Sequence, residues 1–148
     1  AVKAAGYKEQ DIRCFLYGDY GMESYANGIA VSPAFLKKHP EAIRGFIRAT
    51  YKAARETVLN PKLAVSSAKK FQPLVDDAVE ADRLRLGVDC CILTPYVKKN
   101  GYGDVDMARL QRSIEQAALA YGLKNIPKAE DMFDRSYLPP KSERFIHK

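Results

Sequence analysis

The fold class is decided by a stretch near the start of the chain, IRCFLYGDYGMESYANGIAV, which spans residues 12–31. Its first part, from Ile12 to Tyr17, has the apolar and aromatic content of a β-strand. Gly18-Asp19-Tyr20-Gly21 is a turn signal, and the later run Ile29-Ala30-Val31 has the composition of a second buried strand. The stretch therefore predicts two strands joined by a connection rich in tyrosine and glycine.

Beyond residue 31, the positions of proline predict a series of helices. Proline suits the first position of a helix, and a preceding Ser, Thr or Asn can cap it. Such starts occur at Ser32-Pro33, Asn60-Pro61 and Thr94-Pro95, with His39-Pro40 as a fourth. The longest predicted helix runs from Pro40 to Leu59. The last long helix is predicted to begin at Asp104 or Asp106 and to end at Gly122.

Two strands followed mostly by helices predict an α/β fold with an incomplete sheet, since two strands alone do not form a stable one. We therefore expect the chain to be part of an α/β layer whose other strands lie elsewhere. It opens at Ala1 with neither an initiator Met nor a signal-peptide pattern, so we expect it to begin part-way through a longer polypeptide or after processing. Exposed strand edges also predict a homodimer formed by pairing them.

Composition and charge narrow the class of function. The chain has 24 Lys and Arg against 18 Asp and Glu, giving a net charge of +6, but no cationic run exceeds two residues. Such dispersed charge argues against a nucleic-acid partner. Cys14, Cys90 and Cys91 have neither the number of a disulfide framework nor the spacing of a zinc site. We expect Cys14 and one of the adjacent pair to be buried.

The sequence predicts no catalytic residue, no metal and no cofactor. Gly101-Tyr102-Gly103 lacks the third glycine of a dinucleotide-binding loop and lies between predicted helices. Neither His39 at a helix start nor His147 in the tail has the context of a catalytic triad. We therefore predict that the protein is not an enzyme.

The densest set of binding-type residues is the tyrosine segment, residues 17–28. It contains three tyrosines, three glycines, one Asp and one Asn. Aromatic rings give a pocket flat apolar walls, Asp and Asn supply hydrogen-bond partners, and glycines allow close approach of the backbone. Composition leaves open the alternative of a turn whose tyrosines pack against the core.

Several short motifs follow one another in a recognisable order. They are Tyr17-Gly18-Asp19-Tyr20-Gly21, Tyr25-Ala26-Asn27-Gly28-Ile29, PEAIRGFIRAT at 40–50, NPKLAV at 60–65, Leu93-Thr94-Pro95, Asn100-Gly101-Tyr102-Gly103, Tyr121-Gly122 and Ser136-Tyr137-Leu138-Pro139. Their order and spacing resemble those of solute-binding proteins of ABC importers. The branch they resemble is the one for thiamine-pyrimidine precursors, taurine, alkanesulfonates and nitrate.

The resemblance implies the C-terminal portion of a type II periplasmic-binding-protein-like fold, in which two α/β lobes close on a ligand. Residues 1–17 would then be the end of the second lobe and the crossover strand. Residues 18–140 would form the mainly helical C-terminal part of the first lobe, and 141–148 a flexible tail. The N-terminal half of the same protein would be missing from this chain.

The same resemblance implies a periplasmic or cell-surface receptor that captures a small molecule without catalysis and delivers it to an ABC permease in the membrane. By position, Asp19, Tyr20, Tyr25 and Asn27 match the cleft-facing stretch of the family. The two tyrosines would stack on or flank a ring, and Asp19 and Asn27 would hydrogen-bond its polar edges. Asp19 would favour an amine or amino-pyrimidine over a bare sulfonate. The alternative is a thiamine-pyrimidine biosynthesis enzyme on the same scaffold.

Overall fold

The computed structural model describes residues 2, 5–25 and 27–146, so His147 lies outside the described residues. The described part of the chain is organised by helices. They are α1 (Pro33–Lys38), α2 (Pro40–Leu59), α3 (Pro61–Phe71), α4 (Asp77–Gly87), α5 (Pro95–Asn100), α6 (Met107–Tyr121), α7 (Ala129–Met132) and α8 (Lys141–Arg144). A π-helical turn at Val88–Ile92 follows α4, and 3₁₀ turns occur at Glu9–Asp11, Tyr17–Tyr20 and Arg135–Tyr137.

The predicted proline starts are confirmed, because α1, α2, α3 and α5 all begin at a proline. The hydroxyl oxygens of Ser32 and Thr94 accept hydrogen bonds from backbone amides three residues further on. Asp106 caps α6, since its carboxylate accepts from the Arg109 amide at 2.8 Å. Gly122 ends the same helix in the left-handed conformation, with φ of 64°.

The expected α/β fold is wrong. The described residues contain no β-strand, and most of the two predicted strand segments have neither helical nor strand structure. Their side chains are exposed, with Phe15 at 71%, Leu16 at 64% and Ile29 at 47%. A strand exists only where its N–H and C=O groups pair with a neighbouring strand, and these two short runs form no ladder with each other. The apolar composition of a segment favours a strand but does not provide the neighbouring strand that it must pair with.

The core is small for a chain of this size. Its buried hydrophobic residues are Ile43, Tyr51, Val58, Val65, Val88, Ala118 and Ala129. The accessible surface is 11693 Å², whereas a compact monomer of 16.6 kDa is expected to expose about 7,600 Å². The excess of roughly 4,000 Å² is larger than the area that one partner contributes to most large protein–protein interfaces, whose roughly 2,000–5,000 Å² is counted over both partners. All three cysteines are exposed, so their predicted burial was also wrong.

Helix α2 is the centre of the arrangement. It contacts α1, α3, α8 and the Arg135–Tyr137 turn, while α3 packs on α4 and α6 on α7. The segment expected to be a tail includes α8, where Glu143 forms an ion pair with Arg48 of α2 at 2.6 Å and Arg144 is buried. No helix in the described part is long and apolar enough to cross a membrane.

Candidate functional site

The first half of the tyrosine segment is a compact 3₁₀ turn. The turn covers Tyr17–Tyr20 and is closed by Gly21, whose φ of 86° is accessible to glycine at little strain. The Gly21 amide donates to the Gly18 carbonyl at 3.2 Å, and the Met22 amide donates to the Tyr17 carbonyl at 3.0 Å. These local bonds present Tyr17 and Tyr20 outward, at 76% and 72% exposure.

The second half of the segment lies along helix α6 and is held by that helix's polar face, which we define as Arg109, Arg112, Ser113 and Gln116. The spacing of these residues places them on one side of a helix. Most of their bonds go to backbone carbonyls of the segment. Arg109 Nε donates to the Glu23 carbonyl at 2.8 Å, Ser113 Oγ to the same carbonyl at 3.1 Å, and Gln116 Nε2 to the Gly21 carbonyl at 2.8 Å.

An ion pair reinforces this attachment. Arg112 contacts the Glu23 carboxylate through Nε at 3.2 Å and through a second guanidinium nitrogen. The hydrogen bond and the charge of Arg112 hold the pKa of Glu23 below its usual value. Both side chains are about half exposed, so solvent screening keeps the pair weak on its own.

Tyr25 joins the segment to the start of α6. Its hydroxyl oxygen accepts a hydrogen bond from the Asp106 amide at 2.9 Å. The Arg109 guanidinium carbon lies 4.4 Å from the centre of the Tyr25 ring, which is a cation–π distance. Tyr25 therefore satisfies an amide at the helix N-terminus while its ring supports the arginine.

The four predicted site residues have different surroundings. Tyr25 is partly buried against α6, whereas Asp19, Tyr20 and Asn27 are exposed. The Tyr20 ring is 6.3 Å from the ring of Phe15. The structure thus places Asp19 and Tyr20 on the 3₁₀ turn and Tyr25 on the α6 side of the segment.

A concavity of about 500 Å³ lies between the 3₁₀ turn and α6. Its lining residues are Leu16, Tyr17, Gly18, Met22, Glu23, Ser24 and Arg109. It combines an aromatic ring, apolar side chains and a guanidinium, a mixture that suits a small ligand with both flat and polar parts. Another concavity, of about 590 Å³ between α3 and α4, is lined by three lysines, Asp77 and small or aliphatic residues. We favour the first because it adjoins the tyrosine segment.

A second group of charged residues is centred on Asp104, which lies in the loop between α5 and α6. Asp104 accepts a hydrogen bond from Arg135 at 2.8 Å and lies 3.5 Å from a guanidinium nitrogen of the buried Arg144. Burial acts to raise the pKa of Asp104, but the hydrogen bonds from Arg135 and the Val105 amide, with the charges of both arginines, outweigh it and lower that pKa. We call Asp104, Arg135 and Arg144 the Asp104 cluster.

The Asp104 cluster is packed against aromatic side chains. Burial raises the pKa of Tyr51 to about 12, so its phenol stays neutral at physiological pH. The Tyr51 and Tyr102 rings meet edge to face at 5.3 Å. Gly103 lies directly against Tyr51, since a Cβ at that position would be 1.6 Å from the phenol oxygen. The cluster therefore fixes the loop that leads into α6.

The sequence interpretation missed the α6 polar face. Arg109, Arg112, Ser113 and Gln116 were not candidate site residues. The available signal was the helical spacing of polar residues opposite the apolar stripe of α6. No group of three or more potential metal-ligating side chains occurs among the described residues.

One of the comparisons with known proteins covers this end of the chain. Residues 1–64 match the family model described as NMT1/THI5 like. That range contains the whole tyrosine segment and extends just past α2. A riboflavin-binding protein, RibY, from Chloroflexus aurantiacus is 42% identical over 48 residues, which make up 32% of this chain.

The chain spans only 14% of the length of that curated relative. No solved structure matches the chain. Each match covers less than half of this chain: the similarity is to the NMT1/THI5-like family and to a riboflavin-binding protein, and it does not distinguish among the branches of solute-binding proteins.

Proposed function

We propose that this chain is part of the substrate-binding component of an ABC import system, which captures a small metabolite without catalysis outside the cytoplasmic membrane and presents it to a permease. The observation that carries the proposal is the position of the tyrosine segment. It lies inside the family-matched residues 1–64, its exposed Tyr17 lines an open concavity, and the exposed Tyr20 lies on the same 3₁₀ turn. Exposed aromatic rings grouped in this way are typical of binding surfaces.

The proposed ligand class is a planar heteroaromatic ring with N–H donors. Tyrosine rings offer stacking surfaces, and the Asp19 carboxylate can accept hydrogen bonds from ring N–H groups but repels a sulfonate. The name of the RibY relative points to a flavin, and an amino-pyrimidine shares the same chemistry. This ligand class favours the thiamine-precursor branch over the sulfonate and nitrate branches.

We further propose that another polypeptide segment of the same protein covers this chain. The roughly 4,000 Å² of excess surface supports that proposal, as do exposed apolar residues outside the tyrosine segment. Phe71 is 88% exposed and Leu74 fully exposed at the turn between α3 and α4, and Leu119 is 85% exposed near the end of α6. These side chains are part of the surface that the other segment would cover.

The test is ligand binding by the protein produced from its complete gene. Riboflavin, an amino-pyrimidine and taurine are titrated separately, with thermal stability and flavin fluorescence as readouts. Tyr17→Ala and Tyr20→Ala should each weaken ring binding about 3- to 10-fold through lost stacking. Tyr121→Ala is the matched control, because Tyr121 is 82% exposed at the far end of α6.

Two results would contradict the proposal. Equal effects of the three tyrosine substitutions would show that the tyrosine segment is not the binding surface. An absorbance band from a pyridoxal adduct in the complete protein would favour the alternative of thiamine-pyrimidine biosynthesis.

A further inference from the structure

We infer that Arg109 is a positioning residue that sets the shape of the tyrosine segment before any ligand arrives. The part of the inference that concerns ligand binding rests on the proposed function, whereas the part that concerns the shape of the segment rests on geometry alone. Arg109 is the one α6 side chain in the described part that lines the concavity and also binds two carbonyls of the segment. Its Nε donates to Glu23 at 2.8 Å, and its NH2 group donates to Ser24 at 3.3 Å.

The geometry requires a guanidinium. Two neighbouring carbonyls are reached by two nitrogens of one planar group, while its face lies 4.4 Å from the Tyr25 ring centre. A lysine carries the same charge as a single point and has neither the fork nor the flat face. Arg109→Lys should therefore keep the charge of the site while losing its shape.

The α6 backbone holds Arg109 in place at the same time. The Arg109 amide donates to the Asp106 carboxylate at 2.8 Å, and Tyr25 accepts from the Asp106 amide at 2.9 Å. The arginine, the helix cap and Tyr25 therefore form one connected hydrogen-bonded unit. A disturbance at Arg109 should be transmitted to the turn through Glu23 and Ser24.

The first experiment measures amide hydrogen exchange in the unliganded protein. The Gly21 and Met22 amides close the 3₁₀ turn, so their exchange reports its opening. Arg109→Lys should raise their exchange about tenfold or more, the effect expected for losing hydrogen bonds to a charged donor. The amide of the buried Val58 in α2 should exchange as in the wild type.

Arg83→Lys is the matched control, because Arg83 forms an exposed ion pair with Glu80 on α4, away from the segment. Ser113→Ala provides a milder variant that leaves Arg109 in place, since the single hydroxyl hydrogen of Ser113 is shared between the Glu23 carbonyl at 3.1 Å and the Arg109 carbonyl at 2.9 Å. We expect it to raise exchange about two- to fivefold. Unchanged exchange in both Arg109→Lys and Ser113→Ala would overturn the inference, as would faster exchange at Val58 to the same degree.

A second experiment tests ligand binding by titrating riboflavin into the same variants. Arg109→Lys should weaken binding about tenfold with an unchanged melting temperature, which a purely structural role would not produce. Wild-type-like affinity together with an opened turn would overturn the claim that Arg109 prepares the site. If the wild type itself does not bind riboflavin, that ligand assignment fails, while the exchange result still decides the role of Arg109.

Discussion

Substitution of Gly103 gives the sharpest test of the packing between Tyr51 and the loop that leads into α6. In Gly103→Ala the added methyl carbon would lie 1.6 Å from the phenol oxygen of Tyr51 and 2.3 Å from the ring carbon that carries it. Gly103 also has φ of 78°, a conformation that L side chains rarely adopt. The substitution therefore combines backbone strain with displacement of a core side chain.

The expected loss of stability follows from these two effects. Left-handed backbone costs a non-glycine residue roughly 1–2 kcal/mol. Tyr51 is only 8% exposed, and complete removal of a buried aromatic side chain costs about 3–5 kcal/mol. Partial displacement of Tyr51 should therefore bring the total to about 3–5 kcal/mol. A loss of that size would lower the urea midpoint by roughly 1.5–2.5 M for a dependence on urea of about 2 kcal/mol per M.

The assay is urea unfolding followed by far-ultraviolet circular dichroism. Gly45→Ala in α2 is the control, since nothing lies within 4 Å of the Cβ it would add and alanine should stabilise a helix interior by about 0.5–1 kcal/mol. If Gly103→Ala does not fold, the double variant Gly103→Ala with Tyr51→Phe should partly restore folding by removing the nearest atom. Equal midpoints for Gly103→Ala and the wild type would refute the close approach of the loop to Tyr51.

Three further predictions concern the loop before α6 and the uncovered surface. Asp104→Asn should cost about 1–3 kcal/mol near neutral pH by leaving Arg135 and Arg144 without their carboxylate. Because the folded pKa of Asp104 lies below its ordinary value of 3.8, its contribution is present above about pH 4 and is lost as the pH falls through the folded pKa. Lowering the pH should therefore reduce the free energy of unfolding of the wild type more than that of Asp104→Asn. Parallel plots of that free energy against pH would contradict this linkage. Asp106→Ala should cost about 1 kcal/mol by removing the cap from the Arg109 amide, and an unchanged urea midpoint would argue against that cap. The isolated 148-residue chain should self-associate because of its excess surface, and sedimentation of a monomer at all concentrations would contradict that expectation.

Helices were predictable from the sequence because their signals are local. A proline start, a capping hydroxyl and a terminal glycine act within four or five residues, so the starts of α1, α2, α3 and α5 and the end of α6 are confirmed. The apolar residues of α2 at helical spacing are not all covered. Ile43 and Val58 are buried, but Phe46 is 60% exposed. Periodicity shows which side chains share a face, and only tertiary contacts decide whether that face is covered.

The strands and the binding geometry depend on distant partners. Ile12 to Tyr17 has the composition of a strand, but no local property of the segment can supply the neighbour that a ladder requires. The same limit applies to α6, where Arg109 and Gln116 could face either water or the carbonyls of a segment about 90 residues earlier. The composition of the tyrosine segment indicated binding chemistry. The contacts that hold it were visible only in the structure.

The attachment of the chain's last turns to α2 has a practical consequence for handling the protein. The Arg144 guanidinium forms an ion pair with Asp104, and the Arg144 carbonyl accepts a hydrogen bond from the Tyr102 amide. Glu143 forms an ion pair with Arg48. Proteolytic removal of residues 141–146 would uncover Tyr51 and loosen the start of α6. Recombinant preparations therefore deserve a mass check for cleavage in this region before any binding assay.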